Sequence, residues 1–267
     1  MQVEGKVFAI TGAGNGIARE LSLQLLGMGA RVAGLDINAA GLEELRGLAG
    51  KTADRLTTHV VNIVDRDAVL ALPAQIIAEH GQVDALLNVA GIIQPFVKVN
   101  DLEFDAIYRV VDVNLYGVVN TIKAFLPELL KRPEAYLLNV SSMGGYAPVP
   151  GQSIYGATKA AVKLLTEGLH SELMQTNVHV TAIYPGAINT NIAANSGLAN
   201  PGGESAESSK FKMTPVDVAA STIIEAVQKN KYKAFIGSDA KMMDRLTRLM
   251  PEKAAAIIYK QMASLLT

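Results

Sequence analysis

The stretch that decides the fold is VFAITGAGNGIA, residues 7–18. Its first four residues are apolar, which predicts a buried β-strand, and the amphipathic stretch at residues 17–28 predicts a helix. Gly12, Gly14 and Gly16 lie between the two. Glycine lets the backbone turn sharply and approach a ligand closely, and the free N–H groups at a helix N-terminus favour an anion such as pyrophosphate. The stretch therefore predicts a strand–turn–helix unit that can hold a phosphate group.

The same alternation of short apolar runs and longer amphipathic stretches continues along the chain. It predicts strands at residues 7–10, 31–35, 56–61, 85–88, 136–140, 179–183 and 234–236. It predicts helices at residues 17–28, 67–79, 104–130 (one helix or two), 153–174 and 215–229. Alternating strands and helices favour parallel strands joined by right-handed crossovers. We therefore expect a single-domain α/β fold over residues 1–267, a doubly wound, Rossmann-like parallel sheet of about seven strands with helices on both faces.

The composition of the 267-residue chain excludes several classes of protein. Hydrophobic residues make up 49% and charged residues 18%, so the chain can bury a large core and is not disordered. The net charge of −1 gives no general attraction to nucleic acid or to an anionic membrane. The chain has no cysteine, and its four histidines include no pair at helical ligand spacing, so we expect no disulfide and no metal. Since the sequence shows neither a membrane-spanning run nor a signal peptide pattern, we expect a cytoplasmic protein with no integral membrane segment.

Asp36 ends the second predicted strand and lies 20 residues after Gly16 (36 − 16 = 20). A carboxylate at this place can accept hydrogen bonds from both hydroxyls of an adenosine ribose, and it repels a 2′-phosphate. Ile37 supplies no cation to offset that repulsion, so the sequence favours NAD over NADP as the cofactor. The alternative is that Asp36 is only a helix N-cap or turn residue.

Tyr155 and Lys159 lie four residues apart in SIYGATKAAV and therefore share one face of a predicted helix. A lysine cation favours the phenolate form of a nearby tyrosine, which lets the tyrosine exchange a proton with an alcohol or carbonyl oxygen. Ser141 and Ser142 follow the strand predicted at residues 136–140, at the strand end where open α/β sheets bind ligands. The alternatives are a chance spacing on an ordinary helix and serines that only cap a turn.

Together these motifs resemble the short-chain dehydrogenase/reductase family over residues 3–237. The family's T-G-x-x-x-G-x-G loop matches TGAGNGIA, residues 11–18, and its Y-x-x-x-K motif matches Tyr155 to Lys159. The family's catalytic serine lies 13 residues before the tyrosine, which selects Ser142 (155 − 13 = 142). Because the motifs occur in the family's order and spacing, the resemblance is specific.

The resemblance implies a nicotinamide-dependent enzyme with four catalytic residues. Tyr155 would be the general acid/base, and Lys159 would lower the pKa of the tyrosine and hold the nicotinamide ribose. Ser142 would orient the substrate oxygen. Asn114, which matches the family's helix asparagine in VNLYG, would hold a water molecule in a proton relay.

The resemblance also implies the residues that contact the cofactor and the substrate. The implied cofactor contacts are Gly12, Asn15, Gly16, Ile17, Asp36, Ile37, Asn62, Ile63, Asn88, Ala90, Gly91, Tyr155, Lys159, Pro185, Gly186, Ile188 and Thr190. The implied substrate contacts are Ser142, Met143, Tyr146, Val149 and Tyr155, and family topology adds residues 93–95. The chain departs from the family pattern at Ala18, Asn62 and Val89, none of which takes part in the hydride-transfer chemistry.

We therefore expect an oxidoreductase that transfers a hydride between NAD(H) and a small-molecule substrate, a hydrophobic secondary alcohol or ketone. The substrate candidates are mostly apolar and include no arginine to clamp a carboxylate. The alternatives are an NADP-dependent ketone or 3-oxoacyl reductase and a non-catalytic NAD-binding regulator on the same fold. The resemblance implies a homodimer or homotetramer, formed through the helices that contain Asn114 and Tyr155.

Two further segments stand apart from the strand–helix alternation. Residues 191–213 are rich in glycine, serine and asparagine, which predicts a long loop that is either a functional lid or a disordered insert, and the resemblance implies a substrate lid. Residues 240–267 extend beyond the family's usual last strand and carry apolar residues at helical spacing, which predicts a C-terminal helical extension. This extension has three interpretations: it packs on its own domain or on a partner subunit, it covers the substrate mouth, or it touches a membrane surface.

Overall fold

The computed structural model of the chain describes residues 1–190, 192–198, 213–263 and 266. Within these residues, one parallel sheet has the strand order β3-β2-β1-β4-β5-β6-β7. Its strands are β1 (Val7–Thr11), β2 (Arg31–Asp36), β3 (Leu56–Val60), β4 (Ala85–Asn88), β5 (Ala135–Val140), β6 (Val178–Pro185) and β7 (Lys233–Ile236). The expected Rossmann-like α/β fold class is confirmed.

Helices connect the strands and follow the last one. They are α1 (Gly16–Gly27), α2 (Ala39–Ala49), α3 (Arg66–His80), α4 (Phe104–Val111), α5 (Gly117–Leu129), α6 (Ser153–Glu172), α7 (Ile192–Asn195), α8 (Val216–Gln228), α9 (Ser238–Leu249) and α10 (Pro251–Met262). No helix of the described ranges is long and apolar enough to cross a membrane.

The helical prediction needs one correction, and the structure refines it at two other places. The sequence analysis predicted no helix between β2 and β3, yet α2 lies there. Its Gly41 weakens the helical signal but is required, because a Cβ at this position would lie 2.6 Å from the carbonyl oxygen of Gly14. The helix predicted at residues 104–130 consists of α4 and α5 joined by one π-helical turn, Asp112–Tyr116. The C-terminal extension contains two helices, and Pro251 begins the second.

Both faces of the sheet are buried, as the continuous apolar strands require. Along β1, Phe8 and Ile10 belong to one apolar cluster, whereas Val7 and Ala9 belong to another. Successive side chains of a strand point to opposite faces, so these two clusters are the two layers between sheet and helices. The core therefore fixes β1 from both sides.

The carboxyl ends of the central strands are joined by a buried chain of polar side chains. Thr121 Oγ1 on α5 donates to Asn88 Oδ1 at 2.8 Å, and Asn88 Nδ2 on β4 donates to Asn139 Oδ1 on β5 at 2.8 Å. Asn139 Nδ2 then donates to Thr166 Oγ1 on α6 at 3.0 Å. All four residues are buried, so each amide needs its protein partners. The chain holds β4, β5 and their flanking helices in one arrangement.

This topology also determines where a ligand can bind. β2 and β3 lie on one side of β1, and β4 to β7 lie on the other. The winding direction therefore reverses between β1 and β4. Open α/β sheets form a crevice outside the carboxyl ends of the strands at such a reversal point.

Replacing Asn139 with leucine, whose side chain has the same number and branching of heavy atoms but no polar atom, tests the polar chain. The variant leaves Asn88 Nδ2 buried without an acceptor, so we expect the free energy of unfolding to fall by about 2 kcal/mol. Urea denaturation at neutral pH measures this change. Asn100→Leu at an exposed position is the matched control, and a loss as small as the control's would show that the polar chain contributes little.

Candidate active site

A cleft with a volume of about 990 Å³ opens at the carboxyl ends of the strands. Most of the site residues predicted from the sequence line it. They are Gly12, Asn15, Gly16, Ile17, Asp36, Ile37, Asn62, Ile63, Ala90, Gly91, Ser142, Met143, Val149, Tyr155, Lys159, Pro185, Gly186, Ile188 and Thr190.

The glycine loop between β1 and α1 brings the backbone close to the opposite wall of the cleft. Gly12 has a φ of +78°, and a Cβ there would lie 3.0 Å from Ala90 Cα, so no other residue fits without displacing the backbone. Gly16 also has a positive φ, +53°. The first turn of α1 carries no acidic residue, so its N–H groups and positive dipole end face the cleft uncompensated. This cradle fits the diphosphate of a nicotinamide dinucleotide.

Asp36 stabilises the turn after β2 and also lines the cleft. Its Oδ2 accepts from the N–H of Gly14 and its Oδ1 from the N–H of Asn38, both at 2.8 Å. A carboxylate has about four acceptor sites, so both oxygens can still accept from ribose hydroxyls. The nearby Arg19 donates to the Gly14 carbonyl oxygen and to Glu44 at 2.7 Å, and it is not part of the cleft wall.

Tyr155 and Lys159 lie on the first two turns of α6, as predicted, and both line the cleft. The Lys159 side chain is only 4% exposed, its Nζ donates to the Val140 carbonyl oxygen at 3.1 Å, and the same Nζ lies 5.9 Å from the centre of the Tyr155 ring. Ser142 begins a short 3₁₀ turn after β5 and forms a hydrogen bond with the Tyr155 hydroxyl. The three residues therefore meet at one point of the cleft floor.

Burial determines the charge states at this point. It raises the pKa of Tyr155, and the hydrogen bond with Ser142 opposes that shift. Burial also lowers the pKa of Lys159 from 10.5 to about 8. The resemblance implied a lowered tyrosine pKa, whereas in the protein chain by itself burial outweighs the effect of Ser142 and the pKa is raised.

Asn114 lies beside the cleft and does not line it. It is fully buried in the π-helical turn, where its Oδ1 accepts from the N–H of Ile92 and its Nδ2 donates to the Ile92 carbonyl oxygen. A Cβ at Gly91 would lie 3.2 Å from Asn114 Oδ1 and 3.0 Å from Lys159 Nζ. Asn114 therefore fixes the loop that separates it from the lysine, and its role in a proton relay stays a prediction.

The structure places two other predicted contacts away from the cleft. Asn88 belongs to the buried polar chain between β4 and β5. The hydroxyl of Tyr146 donates to the Ala240 carbonyl oxygen at 2.7 Å, and its ring packs edge-on against Tyr184 and Phe235. Tyr146 thus joins the turn after Ser142 to α9, and the prediction that it contacts the substrate is not supported by this position.

Several cleft residues were not predicted individually from the sequence. They are Phe96, Asp105, Tyr108, Arg109, Asp112, Gln152, Asn195 and Met262. The sequence analysis expected no arginine in the cleft, yet Arg109 lines it. Asp105, Arg109 and Asp112 lie four and three residues apart on a helical segment, so their spacing could have indicated that they share one face. Met262 comes from α10 and had no local signal, because only long-range packing brings it to the cleft.

The two segments singled out in the sequence both reach the cleft. Ser196 Oγ, after α7, accepts from the N–H of Ile93 at 3.0 Å, and Asn15 Nδ2 donates to Asn195 Oδ1 at 3.3 Å. Residues 191 and 199–212 of the predicted lid lie outside the described residues. In the C-terminal extension, Met243, Ile258 and Met262 pack with Ala147 and Met143 in a small apolar cluster. This contact agrees with packing on its own domain and with cover of the substrate mouth.

Comparisons with known proteins agree with this geometry. The family model for short chain dehydrogenases matches residues 6–200. The chain is 36% identical over 255 residues to the Mycobacterium tuberculosis protein SadH, whose name assigns it only to the oxidoreductases, with 92% of this chain and 91% of SadH covered. It is 35% identical over 192 residues to the 3-oxoacyl-[acyl-carrier-protein] reductase FabG of Thermotoga maritima, with 71% of this chain and 77% of that protein covered.

A solved structure shows the same fold. The short chain dehydrogenase/reductase of Burkholderia phymatum in complex with NAD superposes with a TM-score of 0.84 at 22% identity, covering 95% of this chain and 96% of that one. Members of this family bind a nicotinamide cofactor. The extent of the family match, together with the cleft built from the family's motifs, shows that the chain belongs to the short-chain dehydrogenase/reductase family of oxidoreductases.

Proposed function

We propose that the protein transfers a hydride between NAD(H) and a secondary alcohol or ketone with an apolar body. The observation that carries this proposal is the meeting of Ser142, Tyr155 and Lys159 at the floor of the cleft. A buried hydroxyl with a serine partner and a lysine cation beside it is a proton-transfer arrangement for an alcohol or carbonyl oxygen. When bound, the nicotinamide ring supplies or accepts the hydride.

The side chains at this point have separate roles in substrate orientation and proton transfer. Ser142 orients the substrate oxygen, and Tyr155 exchanges the proton with that oxygen at its hydroxyl. The raised pKa of Tyr155 keeps the hydroxyl protonated near neutral pH, which suits proton donation to a carbonyl oxygen during reduction. For alcohol oxidation the phenolate is needed, and the ammonium of Lys159, near the tyrosine ring, favours it.

The preference for NAD rests on the charge around Asp36. The carboxylate lines the cleft where the adenosine ribose of a dinucleotide on the glycine loop would end, and Ile37 beside it is apolar. A 2′-phosphate there would face the carboxylate, and Arg19 is already engaged by Glu44 and by the glycine loop. Asp36 therefore favours a free 2′-hydroxyl.

The apolar character of the substrate rests on the wall beyond Ser142. This part of the cleft is lined by Ile93, Met143, Val149, Ile192 and Met262. The second candidate function is reduction of 3-oxoacyl groups with NADP, and it is favoured by the similarity to the Thermotoga maritima reductase. The two candidates differ in the cofactor and in the substrate, which is a secondary alcohol or ketone in the first and a 3-oxoacyl group in the second.

Self-association is also part of the proposal. Phe104 and Tyr108 on α4, Tyr116 in the π-helical turn and Leu164 on α6 are large apolar side chains that are 56–70% exposed. These helices are the ones through which the resemblance implies a homodimer or homotetramer. A second copy of the chain is therefore the partner that we propose for this surface.

Removing the Tyr155 hydroxyl tests the chemistry. We expect Tyr155→Phe to lower kcat by about 10²–10⁴-fold, the usual contribution of a general acid/base, while the Kd for NADH changes little. NADH formation from a panel of secondary alcohols, long-chain and cyclic, measures the first quantity, and NADH fluorescence titration measures the second. Retained turnover in the variant would show that Tyr155 is not the proton-transfer group.

Exchanging the charge at residue 36 tests the cofactor. We expect the wild type to bind NADH at least tenfold more tightly than NADPH, and Asp36→Asn to remove most of that difference because the 2′-phosphate no longer meets a carboxylate. Asp67→Asn, at an exposed carboxylate on α3, is the control and should keep the wild-type ratio. A wild type that prefers NADPH would contradict this interpretation of Asp36.

The buried lysine predicts a pH dependence of stability. Between the folded pKa of Lys159, about 8, and the model-compound value of 10.5, the unfolded chain binds more protons than the folded one, so stability rises with pH through this window. Below pH 8 the lysine is charged in both states and the full penalty is present. From pH 7 to 9.5 we expect the wild type to gain about 2 kcal/mol of unfolding free energy relative to Lys159→Met, measured by urea denaturation.

Lys163→Met, one turn further along α6, is the matched control for this experiment. It removes a lysine that pairs with Glu167 at 2.9 Å and leaves Lys159 in place. The control should therefore keep the wild-type difference between the two pH values. Parallel stability curves for wild type and Lys159→Met would contradict a buried cation with a lowered pKa.

A further inference from the structure

The loop after β6 lies at the end of the cleft that is remote from Asp36. In the sheet order, β2 with Asp36 lies on one side of β1 and its glycine loop, whereas β5 and β6 lie on the other. A dinucleotide with its diphosphate on the glycine loop and its adenosine ribose at Asp36 therefore has its nicotinamide end beside the loops after β5 and β6. At the end of β6 and in the loop after it, the residues that line the cleft are Pro185, Gly186, Ala187, Ile188 and Thr190.

Backbone and side-chain acceptors from other segments hold this loop. The carbonyl oxygens of Ile236 on β7 and of Thr214 accept from two of its N–H groups at 2.9 and 3.0 Å. A side chain makes a further bond, in which the N–H of Ala187 donates to Asp239 Oδ2 at 2.8 Å. Asp239 is the second residue of α9 and does not line the cleft. The C-terminal extension thus supports the cleft wall from behind.

The fold leaves room for the Asp239 carboxylate and fixes its position. A Cβ at Gly186, or at Gly237 just before α9, would overlap this carboxylate, so both positions require glycine. The next residue, Ala240, is fully buried, and its carbonyl oxygen accepts from the Tyr146 hydroxyl at 2.7 Å. The first turn of α9 is therefore anchored on the domain, and the carboxylate meets the loop at a fixed place.

A carboxylate in the first turn of a helix also has a purely structural use, because it stabilises the helix dipole. Asp217 has that use alone: it is the second residue of α8, it is exposed, and it does not line or support the cleft wall. Asp239 has the same position in its helix and in addition accepts from the cleft loop. The two residues therefore allow the structural use to be measured separately.

We propose that Asp239 is a positioning residue for the cofactor, which holds the loop after β6 in the place where that loop meets the nicotinamide ring. The inference rests on the nicotinamide cofactor of the proposed function and is independent of the substrate. Without the acceptor, the N–H of Ala187 loses its partner and the loop moves. The adenosine half of the cofactor, at the glycine loop and Asp36, is not affected.

Two probes separate the two halves of the dinucleotide. NADH carries the nicotinamide ring, whereas ADP-ribose has the adenosine, the diphosphate and the second ribose without that ring. Isothermal titration calorimetry with the full chain gives the Kd of both. We expect the wild type to bind NADH at least about tenfold more tightly than ADP-ribose. Asp239→Leu should weaken NADH binding by about tenfold, the effect of one charge-assisted hydrogen bond, and change the Kd of ADP-ribose by less than about twofold.

Conservative and control variants assign the effect to the hydrogen bond. Asp239→Asn keeps an oxygen for the N–H of Ala187, and we expect its Kd for NADH to stay within about threefold of the wild-type value. Asp217→Leu removes the carboxylate at the matching position of α8 and should leave both constants unchanged. Thermal melting shows whether each variant folds, and Asp239→Ala, which lacks the acceptor and places no bulky apolar group beside the N–H, carries the test if Asp239→Leu does not.

The outcomes separate this inference from the proposed function. Unchanged NADH binding in Asp239→Leu, or equal weakening of both probes, overturns the positioning role. Equal affinity of the wild type for the two probes also overturns it, because the loop then contributes nothing to binding. A preference for NADH that is lost in Asp239→Leu and kept in Asp239→Asn supports the role even if no alcohol is turned over. If the wild type prefers NADPH, then NADPH and 2′-phospho-ADP-ribose are the two probes.

Discussion

The site depends on how α6 is fixed to the end of β5. Ser141 Oγ donates to the Lys159 carbonyl oxygen at 2.7 Å, and Lys159 Nζ donates back to the Val140 carbonyl oxygen at 3.1 Å. Gly145 makes this approach possible, because a Cβ there would lie 2.9 Å from the Lys159 backbone. The reciprocal pair sets the distance between helix and strand, and so it sets the position of Tyr155 relative to Ser142. The two adjacent serines thus differ: Ser141 joins the helix to the sheet, whereas Ser142 lines the cleft beside Tyr155 and is the serine that we propose for contact with the reacting oxygen.

The same arrangement lowers the free energy of unfolding, and the rest of the fold must compensate for this loss. A lysine that is almost fully buried loses its hydration, and burial raises the pKa of the tyrosine beside it. Near the N-terminus of α6, Gln94 Nε2 and Gln152 Oε1 are buried and have no hydrogen-bond partner among the described residues. The two apolar layers and the buried polar chain from Thr121 to Thr166 supply the stability that this corner lacks. Unfavourable burial of polar groups at a cleft otherwise built on a satisfied core is typical of functional sites.

The sequence predicts the fold well because the central strands are buried on both faces. Near-continuous apolar runs such as residues 136–140, interrupted only by Asn139, leave little choice of structure, and the observed β5 extends that run by one residue. α2 was missed because Gly41, which lowers helix propensity, is present for close contact with the glycine loop. A local sequence pattern reports only the preference of the segment itself. Gly41 is required by its contact with Gly14, which is distant in sequence, so the pattern cannot show why a glycine is present.

The sequence predicts some residues of the candidate site and misses others, because local spacing does not show which distant segments pack together. Spacing along one helix correctly brings Tyr155 and Lys159 together, since both side chains depend on the same local geometry. Asn88, Asn114 and Tyr146 were assigned to the cofactor, the proton relay or the substrate by resemblance, yet none of the three lines the cleft, and each is hydrogen-bonded to another part of the protein. Met262 and Gln152 line the cleft without having been predicted, because their places follow from packing between distant segments.

Asp36 shows why structural and functional interpretations of one residue are not alternatives. The sequence offered a choice between a turn residue and a ribose-binding carboxylate, and the structure has the carboxylate accept from two turn N–H groups while it lines the cleft. The two duties support each other, because the turn bonds orient the carboxylate before a ligand arrives and so lower the entropy lost on binding. The bonds that stabilise this turn therefore also present the carboxylate that lines the cleft.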